Sequence, residues 1–392
     1  MEPKTFLHQI ILIAARECRR LVKSPIYWCC MVVAPLMCYV FFTSLMAKGL
    51  PNELPAGVVD LDKTATTRSI IRNLDAFQNT DITESYQSFS EARQAVQRGD
   101  IYAFYYVPRG TTAKVTAGRQ PEVSFYINYS YLIAGSLLYK DMRTMSELAG
   151  GAVGRKTLFA KGAGERQAMA ILQPIVIDTH PIHNPYLNYA VYLCNVILPG
   201  ILTLLIFQTT IYSIGTEQKY NTHREWMQLA GNNMVVALTG KLLPQTAIFF
   251  LIGSLCDFYL YGVLHYPCHS GIFPMLGIML MMVIASQAFG VFLAGLIPSL
   301  RMALSVASLW GVVSVSISGF TFPVMAMDAP LQALAWLFPL RHYFLLYVNF
   351  ALDGFALVFA WKPLLALVGF ILLPLLVLRR LKRTLLLYKY IP

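Results

Sequence analysis

The sequence predicts a polytopic α-helical membrane protein of six transmembrane helices with an inserted extracytoplasmic α/β domain. Three observations lead there. Of the 392 residues, 56% are hydrophobic and only 13% are charged, about half the usual share for a soluble domain. The apolar residues fall in runs of about 20, the length that crosses a hydrocarbon core. Polarity is concentrated in one stretch, residues 47–186, which holds fifteen Lys+Arg and thirteen Asp+Glu, net +2, against sixteen and seven, net +9, in the rest. The insert is therefore an ordinary soluble domain, and the basic excess belongs to the membrane part. Because those basic residues lie beside apolar runs and not on a polar face with interleaved aromatics, they act as topology signals and no nucleic-acid partner is expected.

Residues 1–25 are expected to hold a cytoplasmic amphipathic helix lying on membrane lipid. Leu7, Ile10, Ile11, Ala14, Cys18, Leu21 and Val22 recur at helical spacing, with Arg16, Arg19, Arg20 and Lys23 largely elsewhere on the wheel. Ser24-Pro25 ends it, and 26–46 is the first span. That run exceeds the roughly 7–15 residues of a signal-peptide core, and no small-x-small cleavage site follows.

Within 47–186 the pattern alternates strand and helix: strands at 56–60, 82–86 and 101–107, helices at 64–74 and 88–98. Ser88 or Ser90 caps the second helix, Gly99 closes it and Pro108 ends the third strand. Residues 131–172 read as helical, interrupted by Gly150, Gly151, Gly154, Gly162 and Gly164, and a last strand is expected at 174–178.

The second span is 187–214, with Pro199-Gly200 in its middle, and 215–233 is a short charged cytoplasmic helix. The third, fourth and fifth spans are 235–257, 272–297 and 302–322; Lys241 is expected to snorkel inward or to mark the true start of the third. Residues 331–352 are apolar enough to cross but carry Pro339, Arg341 and His342 at their centre. A crossing there would put Arg379, Arg380, Lys382, Arg383 and Lys389 outside, so 331–352 is read as re-entrant or interfacial, within an extracytoplasmic re-entrant segment 323–360. The sixth span, 361–378, then returns the 379–392 tail to the cytoplasm. None of the seven cysteines lies in the insert, so an insert facing an oxidising compartment folds without disulfides; Cys256 and Cys268 flank one short loop.

Taken in order, several marks resemble one family. They are Arg16-Glu17 and Lys23-Ser24-Pro25 before the first span, Gly57-Val-Val-Asp-Leu-Asp62 opening the insert, the 89–100 stretch within it, and Asn184-Pro185 at its close. Further along stand Glu217, Thr222-His-Arg-Glu-Trp-Met-Gln-Leu229, Ser318-Gly-Phe-Thr-Phe-Pro323 and Phe338-Pro339-Leu340. The set resembles the permease subunits of ABC-2 type exporters with a large extracytoplasmic domain between spans one and two. One departure is Gly231-Asn-Asn233 after the inner run, where the family pattern carries a Thr and a Pro. The resemblance implies an ABC ATPase docking on the 215–233 helix, with Glu217, Arg224 and Glu225 as charged contacts and Trp226 and Leu229 as apolar anchors. Arg16, Glu17 and Arg20 of the N-terminal helix would assist. It also implies a second permease copy, identical or a paralogue, a bacterial plasma membrane (the inner one where there are two) and both termini cytoplasmic.

The chain itself shows no ATP-binding loop. The nearest approach, residues 150–157 (GGAVGRKT), has Arg155 between Gly154 and Lys156, so no cofactor is expected on this chain, ATP and Mg residing on the partner. No His-Glu-x-x-His is present, and His180 and His183 have only Asp178 nearby, so no metal site and no enzyme activity are expected. Asn195, Gln208, Tyr212, Gln287, Ser314 and Ser318 are the polar candidates for a translocation path. With no run of intramembrane acids to mark an ion relay, an amphipathic, lipid-like or drug-like cargo moved outward is the leading reading. The alternative is a membrane-anchored envelope sensor or assembly factor acting through 47–186, for instance on a periplasmic adaptor.

Overall fold

Phe6–Lys23 form α1, whose buried residues Ile13, Glu17 and Leu21 share one face. Ser24, extended ahead of a proline, breaks the helix, and Pro25 then opens α2 (Pro25–Trp28) at its first turn, where a missing N–H costs nothing. A π-turn over Cys29–Val33 carries α2 into α3 (Ala34–Leu45), giving one continuous apolar span, Pro25–Leu45. The computed structural model describes residues 6–180, 184 and 188–387. Pro185, His183 and Lys389 of the sequence reading lie outside the described residues. The chain divides into two units, Leu50–His180 and the helical remainder, each taken by itself below.

The Leu50–His180 unit runs β1 (Leu54–Asp60), α4 (Ala65–Asp75), β2 (Thr80–Ser85), α5 (Phe89–Arg98), β3 (Ala103–Val107), α6 (Thr111–Thr116), β4 (Ser124–Ile127), α7 (Leu132–Ala160) and α8 (Glu165–Leu172). The sheet order is β2-β1-β3-β4, parallel except for β3 with β4. Alternate residues of β1 and β3 feed two cores: Ala56, Val58, Ala103, Tyr105 and Val107 meet Leu74 of α4 and Leu138 and Met142 of α7 on one face. Val59 and Phe104 meet Ala92 and Ala95 of α5 on the other, so helices cover both faces of the sheet. Local chemistry sets the helix ends. Thr64 and Thr67 form a capping box on α4, Ser88 caps α5 through the Glu91 N–H, and Gly99 at φ 84° closes α5 in the left-handed region.

Two expectations fail in this unit. Residues 174–178 are not a strand: Ile175, Val176 and Ile177 are exposed and pair with no strand among the described residues. The fourth strand is instead Ser124–Ile127, whose partner is β3. Nor do Gly150, Gly151 and Gly154 interrupt α7; a helix interior tolerates isolated glycines, and the break comes only at Gly162, with φ 84°.

The helical unit continues with α9 (Tyr189–Lys219), α10 (His223–Leu229), α11 (Met234–Phe258), α12 (Ile272–Leu296), α13 (Leu300–Ile317), α14 (Ala329–Ala335), α15 (Pro339–Tyr347), α16 (Trp361–Leu372) and α17 (Pro374–Leu387). Among the described residues six helical stretches are long and apolar enough to cross a membrane. α12 packs against α9, α11, α16 and α17 and is the centre of the main core. Pro199 does not break α9. Gly200 beside it admits a close approach, since a Cβ there would lie 2.8 Å from Val315 of α13 and 3.1 Å from Leu340 of α15.

Boundaries move where charge was taken as an end. α9 runs on to Lys219, so Glu217 belongs to the second span and not to a separate 215–233 helix. α13 stops at Ile317, short of 322. Residues 379–387 are not a tail: α17 carries Arg379, Arg380 and Arg383 on an exposed face and buries Val377, Leu381, Thr384 and Leu385 on the other. No single helix runs through 331–352, because Pro339 starts α15 afresh at its first turn.

Candidate functional site

The polar residues of the helical unit converge where α1, α9, α10 and α11 meet. α1 lies hard against α11: a Cβ on Gly240 would sit 2.8 Å from the Ile13 side chain and 3.0 Å from the Ile10 carbonyl oxygen. Only glycine permits that approach, and it brings the charged face of α1 onto Lys241. The Lys241 side chain is fully buried, with Nζ 2.8 Å from Glu17 Oε2 and 2.7 Å from Glu217 Oε1, both carboxylates also being fully buried. It neither snorkels nor marks a helix start, because two acids hold it in place.

Glu217 is the hub. It accepts from Arg16 through both terminal nitrogens, at 2.8 and 3.0 Å, and from Lys241, and it also accepts from Arg20 and from the Thr222 hydroxyl. Such a two-point guanidinium–carboxylate pair fixes orientation as well as charge. Arg20 donates in addition to Thr216 Oγ1 at 2.7 Å, and Gln245 Nε2 to Glu17 Oε1 at 3.3 Å. Three cations thus face two buried carboxylates. The remaining positive charge is met at the solvent edge by Glu225, whose Oε1 lies 3.6 Å from Arg16 Nε. Burial by itself would lower the Arg16 pKa, but the hydrogen bond and charge of Glu217 outweigh it and hold it above the ordinary guanidinium value.

Trp226 roofs this cluster. Its indole N–H donates to the Ala237 carbonyl at 3.2 Å, and Lys241 Nζ sits 4.9 Å from its ring centre, a cation–π contact. The ring is wholly buried, as is Glu217, so neither presents a surface to a second chain as the sequence suggested. Of the named docking residues, Arg224 and Glu225 are exposed and Leu229 is half-buried; Gln228, not singled out from the sequence, is exposed on the same short helix. α10 therefore has one face open and the other, His223, Trp226 and Met227, buried, with Trp226 lying against Lys241 of the charge cluster. Gly231 and Asn232, both at φ 59°, turn the chain after α10, and the Asn233 side chain caps α11. This accounts for the departure from a Thr and a Pro at that point.

The six path candidates do not come together. Asn195 donates to Val191 O at 2.8 Å and accepts from Tyr261 at 2.9 Å; Gln208 reaches Ser308 of α13 at 2.5 Å; Tyr212 stacks edge-on with Tyr27. Ser314 and Ser318 bond back to carbonyls of their own helix turn, Gly311 and Val315. Gln287 accepts a hydrogen bond from Thr246. His180 bonds Asp178 at 3.0 Å with both side chains in the open.

A profile of the family described as ABC-2 family transporter protein matches residues 25–379. The chain belongs to that family. It is a transporter's membrane-spanning permease subunit, a class that works with an ABC ATPase, and not a catalytic enzyme. Comparison with individually curated proteins gives no match. In this ABC-2 permease the sequence singled out Arg16, Glu17, Arg20 and Glu217 as contacts for another chain; the structure bonds Arg16 and Arg20 directly to Glu217 and bridges Glu217 to Glu17 through Lys241. Lys241 was the residue whose role was missed. A lysine inside an apolar run signals that a buried acid must exist, but not which one.

Proposed function

We propose that this permease exports an amphipathic, lipid-like or drug-like substrate across a bacterial plasma membrane, driven by a separate ABC ATPase that docks on the open face of α10. Two copies would form the working unit, with both termini on the ATPase side and the Leu50–His180 domain on the other. The observation that carries this reading is the two-sided character of α10. Arg224, Glu225 and Gln228 are exposed, while Trp226 lies directly on the ion cluster that ties α1, α9 and α11 together. A push on the open face has no soft layer to dissipate in: buried, mutually bonded charges move as one body, so displacement of α10 tilts the two spans behind it.

The test is recovery of the partner. Gentle purification from the native host, with companion proteins identified by mass spectrometry, should bring down an ABC ATPase. An Arg224→Glu/Gln228→Glu double variant, altered only at exposed positions, should lose it by about tenfold or more while keeping its elution profile, as expected for removing interface anchors. Equal recovery with the double variant would remove α10 as the docking element. Recovery of no ATPase with either protein would leave the sensor or assembly reading of the Leu50–His180 domain in its place.

A further inference from the structure

Between α11, α12 and the α16–α17 segment lies a cavity of about 330 Å³, within the size range of small-molecule sites. It is built from the sides of three candidate spans, and Leu243 and Leu375 at its lining are themselves exposed, so it faces the membrane. Its walls are mostly aliphatic, Leu242 and Ile284 among them, with three polar side chains: Thr239, which is exposed, and Thr246 and Gln287. Gln287 is 3% exposed; its Oε1 lies 2.6 Å from Thr246 Oγ1, and its Nε2 has no hydrogen-bond partner. Thr246 also lies 2.9 Å from the Leu242 carbonyl, and its single proton cannot serve two acceptors. Turning the Gln287 amide over satisfies Thr246 but transfers the vacancy to the amide oxygen. One end of the amide is unpartnered in either orientation.

We propose that this cavity binds a neutral aliphatic molecule carrying a hydroxyl group, seated with the hydroxyl on Gln287. The hydroxyl is the group that answers both orientations, accepting from the amide nitrogen or donating to the amide oxygen. Aliphatic walls alone give no preference, since a hydrocarbon chain is equally at home in lipid; selectivity comes from relieving the buried amide. The site needs no ATPase to bind its ligand, so it stands apart from the transport reading.

The test uses the full-length protein in phospholipid nanodiscs, photolabelled with a long-chain alcohol bearing a mid-chain diazirine or with the matched alkane. The alcohol should label peptides of α11, α12 and α17 about five-fold more than the alkane, the gain expected of one neutral hydrogen bond. Gln287→Leu should bring the alcohol down to the alkane's level, and Leu375→Trp, at an exposed position, should reduce both. Equal labelling by the two probes, or alcohol labelling unchanged in Gln287→Leu, overturns the proposal. So does efficient disulfide dimerisation of Leu375→Cys, which would mean that a second copy covers the opening. Alcohol labelling that falls during ATP turnover with the ATPase identifies the ligand as cargo, and labelling that persists identifies a resident lipid; both support the site.

Discussion

Each unit of this protein uses a pair of carboxylates to tie separate chain segments together, and the two do it by different means. In the Leu50–His180 unit, Asp62 accepts from the backbone N–H groups of Gly110 and Thr112 and from the Thr112 hydroxyl, joining the loops after β1 and β3. Asp60, two residues earlier, holds the Asp62 and Lys63 N–H groups and Thr67. Among the described residues no cation is paired with either carboxylate. In the helical unit Glu17 and Glu217 do the equivalent work and draw on Lys241, Arg16 and Arg20. The difference follows from access to water. Asp62, at a loop edge, keeps part of its hydration, and the buried Asp60 beside it is met by three donors, whereas carboxylates sealed between helices have their charge matched by cations.

That contrast is testable at three strengths. Lys241→Met leaves two buried carboxylates sharing the arginines. It should cost about 3–5 kcal/mol of stability, read as a large fall in the thermal midpoint of the detergent-solubilised protein. Removing the charges together, in Lys241→Met/Glu17→Met, should recover much of that loss; a single variant as stable as the parent would mean that the cluster does not hold the helices. Next in size, Gly240→Val drives a branched side chain into Ile13 and the α1 backbone and should cost about 1–3 kcal/mol. Gly277→Val, where a Cβ meets nothing within 4 Å, should be nearly neutral by the same assay.

The smallest effect belongs to the uncharged tie. Asp62→Asn should cost about 1 kcal/mol, seen as faster hydrogen exchange at Gly110 and Thr112. The hydrogen bond from Thr112 holds the Asp62 pKa below the ordinary carboxylate value. A depressed folded-state pKa gives stability that is complete above the unfolded value of about 4 and is lost as pH falls through the folded one. Protection at these amides should therefore be constant near neutrality and decline only below about pH 4. A decline beginning near pH 6 would point to a different group.

Much of this architecture was legible because hydropathy needs no knowledge of partners. Six apolar runs became six candidate spans, and the caps at Thr64, Ser88 and Gly99 stand where the sequence puts helix ends. What failed depended on pairing. Ile175, Val176 and Ile177 have the composition of a strand, but a strand exists only against a neighbour, and Ser124–Ile127 holds the place beside β3. Charges near 217 and 380 resembled helix ends because the sequence does not reveal that α9 has cations waiting for Glu217, or that one face of α17 stays wet. The site was legible residue by residue but not as an assembly. Arg16 and Glu217 are 201 positions apart, and Trp226 beside Arg224 and Glu225 looks like an interface anchor until Lys241 is found against its ring.

The separation of those partners along the chain also orders its biosynthesis. α1 leaves the ribosome well ahead of α11, carrying Glu17 with it, yet the lysine that Glu17 faces is 224 residues downstream. Throughout translation of the first span and the inserted domain, α1 lacks the Glu217 carboxylate that holds Arg16 and Arg20, and Glu17 waits longer still for Lys241. Only when α11 has entered the membrane does the cluster close, which makes the seating of the N-terminal helix a late event and a mark that the first three spans are in place. A chain interrupted before residue 241 would leave Glu17 without its lysine and α1 incompletely docked, and so be recognisable as unfinished.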